Sequence, residues 1–253
     1  TPAVTRPADQ TWMRRHIGDF RVVLTDVTVA EAVLAVMGPN SRALLAAVSP
    51  NNFSNENNPF GTAQDIELGM GIARAHRVSY VGELGWELYI HADMAGHAFE
   101  TLWEAGQGLG VKLCGMHMMD TCRMEKAYRH WGHDVTDEDS PLEAGLGFAV
   151  KLDKPGGFIG RDAVLAKKAL EMMRRLLQVL VLDPEPLMFH AEVVTRDGRP
   201  LGYVRAASYG HTLGGAVGLA MIESTAIYCF VVSMILIFAN PFWNHVIAQA
   251  TGK

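Results

Sequence analysis

The chain has 253 residues, of which 49% are hydrophobic and 19% are charged, so it can bury a sizeable core and is not a disordered polypeptide. Its formal net charge of −5 argues against nucleic acid as a partner. The three cysteines are odd in number and lack metal-ligand spacing, which indicates buried thiols in a reducing compartment. The first residues are polar and include Pro2 and Pro7, so no signal peptide is predicted and we expect a cytoplasmic protein.

The first half of the chain predicts short helices and strands in mixed order. Capping residues, prolines and apolar spacing set the expected boundaries. The expected elements are a helix from Asp9 to Ile17, strands over residues 20–27 and 32–37, a helix from Pro39, a loop over 51–58, strands over 66–72 and 73–80, and a helix from Asp93 to Gly106.

The second half predicts two helices followed by a strand-rich region. The helices begin at Met116 and near Gly160, and the strands cover residues 176–182, 192–195 and 201–207, with Asp197 and Gly198 forming a tight hairpin turn. Antiparallel hairpins mixed with helices favour an α+β fold over a doubly wound sheet. No glycine fingerprint for a dinucleotide is present, so no flavin site is expected within this chain.

The stretch 77–90 places acidic and aromatic side chains on an otherwise apolar hairpin. Gly82 and Gly85 signal its turn, and apolar residues then alternate with polar ones, so Glu87 is expected to face away from Trp86. An ionised carboxylate offers two coplanar acceptors, which suit a ligand with two adjacent N–H donors, such as the aminopyrimidine edge of a pterin. The competing interpretation is a solvated glutamate without a ligand.

Further blocks follow this hairpin in a fixed order. They cover residues 115–128, 131–134, 140–147, 157–162 and 202–213. Together with the hairpin they resemble the glycine-cleavage T-protein (aminomethyltransferase) family, and they are most similar to the folate-binding halves of dimethylglycine and sarcosine dehydrogenases. The resemblance covers roughly residues 12–221 and implies an aminomethyltransferase-like folate-binding fold with an incomplete C-terminal β-barrel.

This resemblance implies a role in one-carbon metabolism. Tetrahydrofolate sits in a central cavity of such proteins and accepts a one-carbon unit from an aminomethyl or iminium donor derived from a small amine. By resemblance, Glu87 holds the pterin ring, Tyr80 lies near the folate, and Tyr128 is a further pocket tyrosine. Without the resemblance, Tyr80 is equally well interpreted as a core strand aromatic and Tyr128 as a helix-face packing residue. The dehydrogenase branch also implies a flavin dehydrogenase domain upstream.

Two departures from the family pattern bear on the chemistry. Met119 stands where aminomethyltransferases carry an arginine just before the position of Asp120. Arg123, one helical turn further on, is interpreted either as a contact for the glutamate tail of folate or as an ion-pair partner of Asp120 or Glu125. The catalytic aspartate of the family is expected in a block upstream of Thr1, so no catalytic residue is assigned. Impaired transfer with retained binding is predicted, and a non-catalytic folate-binding or regulatory module is the alternative.

A strongly apolar tail follows Met221. No Asp, Glu, Lys or Arg lies between Glu223 and Lys253, and the apolar run is long enough for about one bilayer crossing. The tail resembles the second helix of the c subunit of a rotary ATP synthase. In that helix, a membrane ion site is formed by the positions matching Glu223, Ser224, Thr225 and Tyr228. The alternatives are a join between unrelated sequences near residues 218–223 and a buried C-terminal helix; membrane association is expected only through residues 221–243.

The expected organisation therefore has three parts: an N-terminally truncated folate-binding domain over residues 1–170, the start of a barrel domain over 171–220, and an apolar helix over 221–253. A metal site is not predicted, because the histidines lack the spacing of a zinc motif. A serine hydrolase is not predicted either, because no serine lies in a nucleophile elbow.

Overall fold

A computed structural model describes residues 3–170, 174–223 and 237–238. Contacts divide the chain into two units: the first is Thr1–Ser79 with Glu83–Val111, and the second is Tyr80–Gly82 with Lys112–Lys253. The helices are α1 (Arg6–His16), α2 (Ser41–Val48), α3 (Ala95–Gly106), α4 (Met116–Glu125) and α5 (Arg161–Ala169). The strands are β1 (Glu31–Met37), β2 (Ala63–Leu68), β3 (Gly71–His76), β4 (Gly85–His91), β5 (Arg174–Leu180), β6 (Val193–Arg196), β7 (Arg199–Gly210), β8 (Gly215–Glu223) and β9 (Ile237–Phe238). The predicted α+β class is confirmed.

The first unit is built on a four-stranded antiparallel sheet in the order β1-β4-β3-β2. Alternation along β4 buries Trp86, Leu88 and Ile90, which join one apolar cluster with residues of α2 and α3. Burying a large apolar side chain contributes about 1.5–3 kcal/mol, so this face of the sheet is the core of the unit. The opposite face carries Glu87 and Tyr89, both of which are half-buried.

The loop over residues 51–58 fixes the central tryptophan of this core. Trp86 is fully buried, and its indole Nε1 donates to Oδ1 of Asn58 at 2.5 Å. Phe53 packs edge-on against the indole with ring centroids 5.6 Å apart. The polar end of the tryptophan is therefore satisfied inside the core, and β4 is held with Glu87 on the opposite face.

Two strand predictions in this unit are wrong. Residues 20–27 form no strand: they run past α1, where the side chain of Gln10 donates to Asp26 at 3.0 Å. The strand predicted over residues 73–80 is wrong only in its second half: β3 ends at His76 and residues 77–84 are a loop, so the strand that pairs with β4 does not contain Tyr80. A strand needs a neighbour to take its backbone hydrogen bonds, and β1 pairs through β4 alone in the described part of the chain.

The second unit contains a five-stranded antiparallel sheet in the order β5-β8-β7-β6-β9. Its fully buried residues include Val179, Val204 and Val217 from neighbouring strands. The turn between β6 and β7 is the predicted one, because Asp197 and Gly198 both have positive φ angles, of 50° and 74°. A two-residue turn in which both residues have positive φ matches the right-handed twist of the strands on either side of it.

The predicted apolar helix over residues 221–253 is contradicted where the structure describes it. β8 continues to Glu223, which lies opposite Arg174 of β5, and Ile237–Phe238 form β9 against β6. An apolar run of this kind suits a buried strand as well as a helix. The other predicted ion-site residues, Ser224, Thr225 and Tyr228, lie outside the described residues. In the described part of the chain, no helix is both long and apolar enough to span a bilayer.

Candidate functional site

Glu87 lies in the middle of the sheet of the first unit, on the face opposite the core. Ala35 of β1 and His76 of β3 are its direct neighbours across the sheet. The hydroxyl of Tyr89, two residues further along β4, donates to Oε2 of Glu87 at 3.3 Å. The prediction that Glu87 faces away from Trp86 is confirmed, because Trp86 is fully buried while Glu87 is partly accessible.

This arrangement leaves the Glu87 carboxylate with unused acceptor capacity. A carboxylate has about four acceptor positions, and the Tyr89 hydroxyl occupies one of them. Ala35 is exposed and its methyl side chain is too short to cover the carboxylate from the β1 side. The group can therefore accept two parallel N–H donors from a planar ligand.

Tyr89 is held between Glu87 and His76. The ring centroids of His76 and Tyr89 are 4.7 Å apart, with an interplanar angle of 51°. Burial and the negative charge of Glu87 raise the pKa of the Tyr89 hydroxyl above its usual value. Tyr89 therefore stays protonated and can donate to the carboxylate. Neither Tyr89 nor His76 was predicted as a site residue from the sequence, although the alternation along 86–90 places Tyr89 on the same face as Glu87.

Tyr80 and Tyr128 lie together in the second unit. Their rings are nearly parallel, with centroids 6.1 Å apart and an interplanar angle of 19°. The hydroxyl of Tyr80 donates to the carbonyl oxygen of Arg129 at 3.0 Å, and burial raises its pKa. Tyr80 is in a loop and Tyr128 follows α4, so the interpretations as a core strand residue and a helix-face residue are both wrong. The pair forms an aromatic surface in which Tyr80 is half-buried and Tyr128 is exposed.

Arg123 is buried at the end of α4 and is engaged by carboxylates. Its Nε donates to Asp120 Oδ1 at 2.6 Å, and its guanidinium also donates to Asp134 and to the carbonyl oxygen of Tyr128. Burial alone would lower the pKa of Arg123, but the two carboxylates outweigh burial, so the pKa lies above its usual value. The structure therefore favours the ion-pair interpretation of Arg123 with Asp120 over a contact with the folate tail.

Asp134 is the second partner of Arg123, and sequence reasoning missed it. Its side chain is fully buried and accepts hydrogen bonds from the guanidinium of Arg123, from the backbone N–H of His130 at 3.0 Å and from the ring of His133 at 3.0 Å. The carboxylate thus links the end of α4 to the loop that follows it. Because Arg123 also donates to the carbonyl of Tyr128, this network fixes the backbone that carries the aromatic pair.

The block over residues 140–147 is also held by a buried acid. The carboxylate of Glu143 accepts from the backbone N–H of Ser140 at 3.0 Å and pairs with Lys167 at 3.0 Å and Arg174 at 3.4 Å. Burial raises the pKa of Glu143, but the hydrogen bonds from Ser140 and the positive charges of Lys167 and Arg174 together lower it to about 2. This acid connects the block to α5 and β5 and has a structural role.

The remaining titratable groups give no metal centre. In residues 3–170, 174–223 and 237–238, no three His, Cys, Asp or Glu side chains come close enough to hold a metal ion. His130 and His133 stack with ring centroids 5.8 Å apart, and His133 is bonded to Asp134 instead.

Comparison with known proteins finds sarcosine dehydrogenase and aminomethyltransferase, two of the classes that the sequence resembles. The 4-methylaminobutanoate oxidase (formaldehyde-forming) of Paenarthrobacter nicotinovorans is 44% identical over 89% of this chain and 27% of its own length. Human mitochondrial sarcosine dehydrogenase is 37% identical over 79% of this chain and 22% of its own. The aminomethyltransferase of Shouchella clausii (strain KSM-K16) is 33% identical over 87% and 59%. The chain thus spans less than two thirds of each of these relatives.

A solved structure and two family models complete the comparison. The glycine cleavage system aminomethyltransferase T of Bartonella henselae matches with a TM-score of 0.71 at 23% identity, covering 87% of this chain and 58% of that one, which shows a shared fold. Residues 1–154 match the GCVT N-terminal domain, and residues 174–229 match the glycine cleavage T-protein C-terminal barrel domain. The expected end of the resemblance at residue 221 is wrong, since the barrel match continues to residue 229. The chain belongs to the glycine cleavage T-protein family.

Proposed function

We propose that this chain is a tetrahydrofolate-binding, aminomethyltransferase-like domain of one-carbon metabolism, and that Glu87 recognises the pterin ring. The observation that carries the proposal is the half-buried Glu87 carboxylate, which the Tyr89 hydroxyl engages on one oxygen and which Ala35 leaves uncovered. The aminopyrimidine edge of a pterin presents adjacent N–H donors to such an acceptor. The acceptor positions of Glu87 therefore fit the donors of the ligand.

The aromatic pair supports a second contact. The rings of Tyr80 and Tyr128 are nearly parallel, the first half-buried and the second exposed, and planar ligands bind well to aromatic side chains. We assign both residues to folate recognition. Arg123 we assign to holding the backbone of Tyr128, because its guanidinium is occupied by Asp120, Asp134 and the Tyr128 carbonyl.

The names of two relatives support a proposal for the source of the one-carbon unit and for the partner domain. These are a 4-methylaminobutanoate oxidase that forms formaldehyde and a sarcosine dehydrogenase, and both names describe oxidation of a methylamine. Such an oxidation passes two electrons to the flavin and converts the methylamine into an iminium ion. Two nitrogens of bound tetrahydrofolate would bond to the iminium carbon as its bond to the amine breaks, and the amine would leave as an ammonium ion with the two protons from those nitrogens. We therefore propose a small methylamine as the source of the one-carbon unit and a flavin dehydrogenase domain as the functional partner.

Replacing Glu87 with glutamine tests the pterin assignment. We expect Glu87→Gln to weaken tetrahydrofolate binding by between about tenfold and a hundredfold, because the amide loses the charge and turns an N–H₂ group towards the N–H donors of the pterin. Binding is measured by isothermal titration calorimetry under anaerobic conditions. The matched control is Glu83→Gln, since Glu83 is exposed in the preceding loop and its replacement should leave the affinity unchanged.

Two results would contradict this proposal. Unchanged affinity in Glu87→Gln, with the thermal midpoint of wild type, would remove the pterin role of Glu87. Absence of tetrahydrofolate binding by the folded wild-type chain would remove the proposed function altogether.

Transfer activity is a separate prediction. The resemblance assigns none of residues 1–253 to the proton step, so we propose that this stretch by itself binds tetrahydrofolate without accelerating its chemistry. Binding and proton transfer depend on different groups, and one can persist without the other. The assay mixes formaldehyde with tetrahydrofolate and follows methylene-tetrahydrofolate. A rate above the uncatalysed reaction, proportional to protein concentration, would refute the non-catalytic interpretation.

A further inference from the structure

The face of the first sheet that carries Glu87 also carries two aromatic side chains with no assigned role. Tyr89 contacts Glu87 directly through its hydroxyl, at 3.3 Å. His76 lies opposite Glu87 in the register between β3 and β4, and its ring packs against Tyr89. Three side chains from two strands therefore form one continuous set, here called the Glu87 triad: His76, Glu87 and Tyr89.

We propose that Tyr89 and His76 are positioning residues that fix the Glu87 carboxylate in the orientation needed to receive the pterin; this inference rests on the proposed function. A glutamate on a sheet face has three rotatable side-chain bonds, and binding must restrict all of them. A hydrogen bond to Oε2 restricts the carboxylate before the ligand arrives. Preorganisation of this kind raises affinity without adding a contact to the ligand.

The hydrogen bond also selects which acceptor positions remain. Once Tyr89 occupies Oε2, the second oxygen, Oε1, and the remaining position on Oε2 are left for a ligand. Two acceptors side by side match two adjacent N–H donors. A ligand with a single donor would use only half of this capacity, so the triad favours the aminopyrimidine edge.

The surroundings of the triad leave Glu87 available to a ligand. Arg74 lies opposite Tyr89 in the register and could compete for the carboxylate. Instead, its Nε and Nη2 donate to Asp65 at 2.8 Å and 3.2 Å. The guanidinium of Arg74 is thus paired with Asp65 of β2, and Glu87 receives its hydrogen bond from the Tyr89 hydroxyl.

His76 acts on Tyr89 through its ring. The two centroids are 4.7 Å apart, within the range in which aromatic rings pack favourably. This packing limits rotation of the tyrosine, so the hydroxyl stays beside the carboxylate. A phenylalanine at position 76 should preserve the contact, whereas an alanine should remove it.

A double-mutant cycle separates positioning from general packing. We expect Tyr89→Phe to weaken tetrahydrofolate binding about five- to tenfold in the wild-type chain, but less than twofold in the Glu87→Gln background, because the hydroxyl acts through the carboxylate. His76→Ala should weaken binding about threefold, and His76→Phe should restore it. The control is Tyr203→Phe, which removes a tyrosine hydroxyl in the second unit and should leave the affinity for tetrahydrofolate unchanged.

The outcomes distinguish the inference from the proposed function. Equal losses from Tyr89→Phe in both backgrounds would show a packing role and overturn the positioning inference, as would a failure of Tyr89→Phe to weaken binding when Glu87→Gln does. If Glu87→Gln leaves binding unchanged, or if the folded wild-type chain does not bind tetrahydrofolate, both the pterin assignment and this inference are overturned. Thermal midpoints measured on every variant establish that each is folded.

Discussion

Replacing Asp134 with asparagine is expected to lower the free energy of unfolding by about 3 kcal/mol or more. The Asp134 side chain is fully buried, and it neutralises the buried guanidinium of Arg123. Asparagine keeps the shape but removes the charge, which leaves a cation in the interior with only the half-exposed Asp120 to balance it. Breaking a buried pair costs far more than the pair itself contributes, because the remaining charge cannot return to water.

The matched control is an aspartate–arginine pair with similar geometry at the surface. Asp65 and Arg74 are joined at 2.8 Å, but both side chains are more than half exposed. Water can replace this contact, so Asp65→Asn should leave the urea midpoint unchanged within error. Urea unfolding of both variants, followed by circular dichroism, makes the comparison; equal midpoints for Asp134→Asn and Asp65→Asn would contradict the role given to Asp134.

A paired replacement tests the physical cause. Removing both buried charges, in Arg123→Met with Asp134→Leu, should destabilise the chain less than Asp134→Asn alone, because no unpaired charge remains buried and Asp120 is half-exposed to water. The same double variant should still weaken tetrahydrofolate binding, since the guanidinium no longer holds the carbonyl of Tyr128. The double variant would then lose less stability than Asp134→Asn but would still lose affinity for tetrahydrofolate.

Short-range patterns in the sequence predicted the features that depend on neighbouring residues. The alternation after Gly85 placed Glu87 opposite the buried face, and the Asp197–Gly198 pair predicted a turn that needs two positive φ angles. The helical spacing also gave an ion pair of Arg123 with Asp120 or Glu125 as one interpretation, and the structure shows the pair with Asp120. In each case the relevant partner lies within a few residues along the chain.

Features that depend on distant partners were missed for a physical reason. Residues 20–27 have strong strand propensity, but β-propensity expresses packing against neighbours and the segment pairs with none in the described structure. Asp134 reaches Arg123 only because the chain reverses after α4. His76 lies beside Glu87 through a cross-strand register that no local pattern contains. Residues 221–223, the first of the predicted tail helix, likewise belong to a strand because β5 pairs with them.

Glu143 is a buried carboxyl group that makes the stability of the chain depend on pH. The residue is only 3% exposed, and its carboxylate is held by Ser140, Lys167 and Arg174. Although burial raises its pKa, these partners lower the pKa from 4.5 to about 2 in the folded chain. A lowered folded-state pKa means that the unfolded chain binds the proton more readily, so acid favours unfolding.

The sign and the pH window follow from these two pKa values. The contribution of Glu143 is fully present above about pH 4.5 and is lost as the pH falls towards 2. A shift of this size corresponds to roughly 3 kcal/mol. Glu143→Gln is therefore expected to lower the free energy of unfolding by about this amount at pH 7 and to flatten its fall between pH 4.5 and 2.5, as measured by urea unfolding at a series of pH values. Glu138→Gln, an exposed acid in the same loop, should retain the wild-type slope; a wild-type slope in Glu143→Gln would mean that another carboxylate carries the acid sensitivity.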